Sequence, residues 1–153
     1  MFATDVDGVL TDGGMYYSND GGEFKKFYAH DGMGIKLLQQ AGIITALITA
    51  EQTRLVARRG EKLAIPEIHQ GVHNKLAVMQ SLATQYKISL EEIAYMGDDL
   101  NDLDVLLAVG FSASPANAVS VVREAVHYVC QLRGGEGAVR EVADLLLAAR
   151  NRE

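Results

Sequence analysis

Short β-rich apolar runs at residues 43–48, 93–96 and 109–113 alternate with stretches whose apolar residues recur at helical spacing, and this alternation constrains the fold more than any single residue does. Strands that are apolar at consecutive positions are buried on both faces, and parallel strands need helical crossovers to join them. An α/β fold is therefore expected, with a parallel sheet covered by helices. Helices are predicted over residues 33–41, 53–63, 75–86, 102–108, 118–125 and 138–149. Ser89-Leu90-Glu91-Glu92 has capping-box spacing and predicts a short helical turn before the strand at Ile93. Residues 126–129 read as a further short edge strand.

One interval breaks the alternation. Met15-Tyr16-Tyr17 and Glu23-Phe24-Lys25-Lys26-Phe27 flank Ser18-Asn19-Asp20-Gly21-Gly22, which predicts a β-hairpin over about residues 14–27 after the first strand. An isolated hairpin is marginal in water, and its aromatics need cover, either from another subunit or from its own domain.

The 153 residues, 48% of them hydrophobic, suffice for a sizeable core. With no internal repeat, low-complexity tract or Pro/Ser-rich linker, one domain over residues 1–153 is expected. Only four residues precede Asp5, fewer than a buried strand usually has, so a few more N-terminal residues are expected. A net charge of −6 argues against nucleic-acid and anionic-membrane partners, which call for a basic surface. No apolar run approaches the roughly 20 residues of a membrane helix. The single Cys130 rules out an intrachain disulfide framework and fits a reducing compartment, so a cytoplasmic protein is expected.

In an open parallel sheet, ligands bind beyond the carboxyl ends of the strands. Asp5-Val6-Asp7-Gly8 stands where the first strand gives way to a loop, Thr49 follows the second, and Gly97-Asp98-Asp99-Leu100-Asn101-Asp102 follows the strand at residues 93–96. Lys75 opens a helix after the loop at residues 70–74. Each has a plain structural reading: D-x-D-G also occurs in turns and calcium loops, Thr49 could be a strand-end hydroxyl, Lys75 a solvated residue, and Asp98 or Asp102 a helix cap. Together, three or four carboxylates at one sheet edge repel one another unless a divalent cation neutralises them, and Mg²⁺ suits such oxygen ligands. Asp5 is then a candidate nucleophile toward phosphorus, and Asp7, two residues on and on the same side, a candidate general acid and base. Thr49, Lys75 and Asp98 supply the hydroxyl, cation and metal ligand that a transferring phosphoryl group needs.

This order of parts, D-x-D-G, Thr, Lys and G-D-D-x-x-D, resembles the haloacid dehalogenase superfamily of phosphatases. The resemblance extends over essentially the whole chain to a small cap-less subfamily of sugar-acid phosphatases, through DVDGVLTDG, the hairpin, HDGMGIKLL, NKL, AYMGDDLND and GGEGAVREVADLLL. It implies a Rossmann-like three-layer core without a cap domain and a phosphoric monoester hydrolase working through an aspartyl-phosphate. It implies Asp5 as nucleophile, Asp7 as acid and base, and Asp5, Asp98 and the Asp7 carbonyl as Mg²⁺ ligands, with Asp99 and Asp102 as outer or alternative ligands. Thr49 and Lys75 would hold the phosphoryl group. Members look like homotetramers joined through the hairpins, in which a neighbouring subunit helps close each active site.

For substrate, the resemblance points to Tyr28, Ala29, His30, Asp31, Gly32, Lys36 and Arg59 as the sugar-acid site. Overall similarity favours 3-deoxy-D-manno-octulosonate 8-phosphate, a lipopolysaccharide precursor. Glu51, where octulosonate phosphatases usually carry Arg, looks more like the nonulosonate 9-phosphate phosphatases and would repel a substrate carboxylate. His30 likewise replaces a commonly basic Arg. Two readings of other classes are a phosphoacceptor receiver domain, which carries its acidic pair, Thr and Lys in a different order, and a catalytically silent tetramerisation module, which would be expected to lack Asp5 or Asp7.

Overall fold

The computed structural model describes residues 1–151. In chain order the elements are β1 (Phe2–Thr4), β2 (Tyr16–Tyr17), β3 (Glu23–Phe24), α1 (Ala29–Gln40), β4 (Thr45–Ile48), α2 (Arg54–Lys62), β5 (Glu67–His69), α3 (Lys75–Tyr86), β6 (Ala94–Met96), α4 (Leu103–Ala108), β7 (Phe111–Ser114), α5 (Ser120–Ala125), β8 (Tyr128–Val129) and α6 (Ala138–Arg150). Six strands form one parallel sheet in the order β5-β4-β1-β6-β7-β8, and β2 and β3 form a separate antiparallel pair.

Side chains alternate across the sheet, and both faces are dry. Phe2, Leu47, Ala94 and Met96 join a core with Ile35 and Leu38 of α1, Val56 of α2 and Val139 and Val142 of α6. Ala3, Ala46, Ile48 and Tyr95 join the opposite core with Met79 and Leu82 of α3, Val105 and Leu106 of α4 and Val122 of α5. Full burial of a large aliphatic or aromatic side chain is worth about 1.5–3 kcal/mol, so a one-residue slip of β1 would forfeit much of both cores. The register Thr4 to Leu47 on one side and Thr4 to Met96 on the other brings the three strand ends to within one residue of one another.

α3 spans the predicted residues, because Asn74 Oδ1 accepts from Ala77 N at 3.0 Å and Lys87 leaves the helix in a left-handed conformation, φ 56°. The predicted turn at Ser89 is a 3₁₀ turn, Leu90–Glu92, with the Glu92 carboxylate accepting from Ser89 N at 2.9 Å. Elsewhere the boundaries differ from expectation. α1 begins at Ala29, ahead of residue 33; Tyr28 gives no side-chain cap, and Gly32 and Gly34 dilute the local helical signal. Gly34 serves packing instead, since a Cβ there would meet Ala143 and Arg140 of α6 at 3.1 Å. Of the predicted 102–108, Asp102 ends a 3₁₀ turn (Leu100–Asp102) and α4 takes the rest, and α5 starts two residues later than predicted. β5 was not predicted: its single apolar residue, Ile68, gives no run to read, and at the sheet edge it pairs with β4 alone. The hairpin ladder is shorter than the aromatics suggest, pairing Tyr16 with Phe24 and Tyr17 with Glu23, and an isolated bridge from Thr11 to Phe27 closes its base. No helix of the described residues is long and apolar enough to cross a membrane.

Asp31, in the first turn of α1, is fully buried and receives the N-terminus of α6: its Oδ1 accepts from Arg140 N at 2.9 Å, with Gly137 and Val139 amides also directed at it. Its Oδ2 has no partner. Burial raises its pKa to about 6 against the pull of those amides and of Arg59. The folded protein therefore holds this proton at a pH where the unfolded chain has released it, so the group's contribution to stability declines as pH rises from about 4 to 6. Asp31→Ala is expected to cost about 1–3 kcal/mol by urea unfolding. Asp31→Asn is expected to remove that segment of the stability profile, and an unchanged slope between pH 4 and 6 would contradict the assignment.

Candidate active site

The chain leaves β1 toward β4 and later returns to β6 on the other side, so the loops after these strands diverge and open a crevice at their carboxyl ends. Asp5 directly follows β1, with its amide donating to Met96 O at 2.9 Å. Thr49 directly follows β4, its amide donating to His69 O at 2.9 Å. Asp98 stands two residues past β6. Asp5, Asp7, Thr49, Glu51, Asp98 and Asp99 line one cavity of about 290 Å³.

Beneath this cavity is a buried charge network. Lys75 Nζ lies 2.9 Å from Asp5 Oδ1 and 2.7 Å from Asp102 Oδ1, with its side chain 1% exposed. Asp102 is fully buried and also accepts from Tyr95 Oη at 2.7 Å and from Asp98 N at 3.1 Å. It thus ties α3, β6 and the acidic loop together. Asp99 is exposed, and its carboxylate accepts from Leu100 N at 2.7 Å at the start of the 3₁₀ turn.

Electrostatics show what the network lacks. Burial first, and the Asp102 charge second, hold the Asp5 carboxyl well above the usual carboxylate range, although Lys75 pulls it down. Burial and Asp102 likewise raise Asp98 to about 6. One oxygen each of Asp5, Asp98 and Asp102 lie within 4.8 Å of one another. Three carboxylates against one ammonium leave a charge of −2 when all are ionised, which is the deficit a hard divalent cation makes good. The donor set is all oxygen and fits Mg²⁺.

Local geometry holds the loop open to this cluster. Gly8 has φ +83°, and a Cβ there would overlap the Asp98 carboxylate. Asn117 braces the same loop by donating from Nδ2 to Gly8 O at 3.1 Å while its Oδ1 accepts from Gly134 N at 2.6 Å. Lys25, from just beyond β3, reaches back into the site: its Nζ donates to Asp7 Oδ1 at 2.7 Å and to Glu51 Oε2 at 2.8 Å. Burial lowers the affinity of this ammonium for its proton, but the two carboxylates outweigh it and leave the pKa above the ordinary value. Glu51, expected to act as a free negative charge, is compensated here. Sequence reasoning did not single out Lys25, Tyr95 or Asn117: a hairpin lysine and a loop asparagine carry no motif, and Tyr95, within AYMGDDLND, reads as a buried strand residue.

The other predicted positions lie apart from this cavity. Ala29, Gly32, Lys36 and Arg59 line a depression of about 220 Å³ with residues of α2. Arg59 also lies over the Phe27 ring, 5.5 Å from its centroid, and donates to Tyr28 O at 3.4 Å. Tyr28 and His30 line a larger cavity of about 590 Å³ beside the α6 N-terminus, and Asp31 is enclosed between α1 and α6. Within one copy of the chain, only Asp7, Glu51 and Lys75 of the predicted substrate contacts stand at or beneath the Asp5 cavity.

A family model described as haloacid dehalogenase-like hydrolase matches residues 52–141. The 3-deoxy-D-manno-octulosonate 8-phosphate phosphatase of Escherichia coli K12 is 43% identical over 152 residues, 99% of this chain and 81% of that protein. The Moraxella catarrhalis enzyme of that name, solved in complex with magnesium ion, phosphate ion and KDO, is 43% identical with a TM-score of 0.95, covering 98% of this chain and 86% of that one. The cobalt-bound form of the Haemophilus influenzae phosphatase is 38% identical with a TM-score of 0.93, covering 98% and 88%. With its acidic cluster at the ends of β1 and β6 and similarity over nearly its full length, the chain belongs to the haloacid dehalogenase-like hydrolases, in the cap-less subfamily of the 3-deoxy-D-manno-octulosonate 8-phosphate phosphatases.

Proposed function

We propose that this chain is a Mg²⁺-dependent phosphatase that hydrolyses 3-deoxy-D-manno-octulosonate 8-phosphate to the free sugar acid and phosphate. The observation that carries the reading is the placement of Asp5 and Asp7 on one cavity with Thr49 and Asp98, with Lys75 bonded to Asp5 from below. Asp5 Oδ attacks phosphorus, the ester P–O bond breaks, and Asp7 gives its proton to the leaving alkoxide. Asp7 then takes a proton from water, which attacks the aspartyl-phosphate and returns Asp5 and phosphate. The Thr49 hydroxyl and Lys75 ammonium hold the phosphoryl oxygens, and Asp102, through its bonds to Lys75 and to Asp98 N, keeps both in place. Asp5, Asp98 and the Asp7 carbonyl would hold Mg²⁺, which supplies charge neutralisation at the phosphoryl oxygens. Asp98 is expected to tolerate no neutral substitute in that role.

The domain works as part of a homotetramer assembled through the hairpins, in the cytoplasm. Met15, Tyr16, Tyr17 and Phe24 are 43–69% exposed, an apolar surface that favours burial between copies. The distance of Tyr28, Ala29, His30, Gly32, Lys36 and Arg59 from their own Asp5 cavity fits a site completed by a neighbouring subunit. Light scattering is expected to give four times the 16.6 kDa chain mass, and a monomer with full activity would overturn the shared-site reading.

Phosphate release from octulosonate 8-phosphate is expected with Mg²⁺, to vanish with chelator and to return on Mg²⁺ addition. Slow single-turnover labelling without release would instead indicate a phosphoacceptor. Glu51 favours one second reading, a nonulosonate 9-phosphate phosphatase. A kcat/KM on nonulosonate 9-phosphate above that on octulosonate 8-phosphate by about tenfold or more would establish it over the first.

A further inference from the structure

Lys25 is the one cation that the hairpin sends into the catalytic cavity's rim. Its side chain is 2% exposed, and its Nζ sits between Asp7 Oδ1 and Glu51 Oε2, with Glu23 Oε1 at 3.9 Å. Among the described residues, no other side chain hydrogen-bonds the Asp7 carboxylate. An aspartate's terminal torsion is broad, so an unanchored Asp7 would spread over many orientations. A lysine on its four-carbon stem is equally mobile unless its ammonium is held from a second side. Glu51 holds it at 2.8 Å. The ammonium thus bridges Asp7 and Glu51 at hydrogen-bond distance, whereas Lys75 bonds Asp5 itself, the residue that meets phosphorus.

We propose that Lys25 is the positioning residue for Asp7, and that Glu51 acts on the reaction through Lys25 rather than by meeting the substrate's carboxylate. The proposal rests on Asp7 being the acid and base. It makes the hairpin part of the catalytic apparatus of its own chain as well as an assembly surface: the Lys25–Asp7 contact orients the proton donor, and Glu51 sets the orienter. Without Lys25 the carboxyl is present but no longer aimed at the leaving oxygen, so the loss falls on substrates whose leaving group needs a proton.

The test compares an alkyl ester, octulosonate 8-phosphate, with p-nitrophenyl phosphate, whose phenolate leaves with little protonation, using the full chain with Mg²⁺. Lys25→Met is expected to lower kcat on the alkyl ester by about 10²-fold, with KM moved less than about threefold, and to lower kcat on p-nitrophenyl phosphate by less than about fivefold. Lys25→Arg is expected to recover most of the lost rate. Glu51→Gln is expected to slow the alkyl ester selectively and to add nothing in the Lys25→Met background. Inhibition by inorganic phosphate is expected to stay within about twofold throughout.

Equal losses on both esters, parallel weakening of phosphate inhibition, or a Glu51→Gln effect undiminished without Lys25 would overturn the proposal. Should Lys25→Met fail a thermal-melting check of folding, Glu51→Gln and Lys25→Arg decide: no selective loss on the alkyl ester in Glu51→Gln would be fatal. Asp7→Asn separates the two layers. If Asp7→Asn does not discriminate the esters, the acid/base reading fails; if it does and Lys25→Met does not, only the positioning role fails.

Discussion

Asp5→Asn is expected to reduce phosphate release by a factor on the order of 10⁴ or more while raising the melting temperature of the metal-free protein. The loss follows from chemistry: a neutral amide is a poor nucleophile toward phosphorus and a poor ligand for a hard cation. The gain follows from electrostatics. Asp5 is 5% exposed, and burial together with the Asp102 and Asp98 charges raises its pKa well above 3.8. A carboxyl whose folded pKa is raised gives its full contribution below the unfolded value and loses it as pH rises, so above the usual carboxylate range Asp5 is a cost to the fold. Asparagine removes that cost, and Lys75 retains Asp102 at 2.7 Å as a partner. Circular dichroism melting in chelator and a phosphate-release assay in Mg²⁺ check the two halves. Near-normal turnover by the pure variant would end the nucleophile assignment; a lower melting temperature would mean that the Asp5–Lys75 contact outweighs the buried charge.

The strands that position the site were legible because they are buried on both faces, and a run such as Ala46-Leu47-Ile48 leaves no other cheap conformation. The edge strand Glu67–His69 was not, because a half-exposed edge tolerates polar residues, and its identity comes from pairing with β4. The start of α1 was hidden for a related reason: Gly34 is there for close contact with α6, a demand imposed by tertiary packing against its own helix propensity. In the site, the residues at strand ends could be read, since sheet topology alone brings Asp5, Thr49 and Asp98 to one edge. Side chains that arrive from other layers could not. Lys25 comes from a hairpin 18 residues beyond Asp7, and Tyr95 points its hydroxyl at Asp102 from within the core. Asp31 illustrates the converse: an acidic residue in a recognisable motif whose carboxylate is engaged with the N-terminus of α6.

Lys75→Met is expected to destabilise the metal-free protein by about 3–5 kcal/mol and to lower kcat by about 10²–10³-fold. Removing one partner of a buried pair leaves the other uncompensated, and here the ammonium serves two carboxylates at 2.9 and 2.7 Å. Asp102 has 0% of its surface in water, so solvent cannot replace the lost ammonium, and only neutral donors such as Tyr95 Oη and Asp98 N remain to it. Two consequences distinguish this account from simple loss of packing. First, Asp102→Asn placed on Lys75→Met should recover part of the stability, because it neutralises the stranded charge; a packing defect would make the double variant worse than either single one. Second, Mg²⁺ should raise the melting temperature of Lys75→Met by more than that of the wild type, since a divalent cation bound at Asp5 and Asp98 restores positive charge to the same cluster and binds only the folded state. Urea unfolding with and without Mg²⁺ measures both. If Asp102→Asn adds to the damage and Mg²⁺ gives the variant no extra protection, then Lys75 is held for its aliphatic stem, and its role as the cation of the phosphoryl site falls with it.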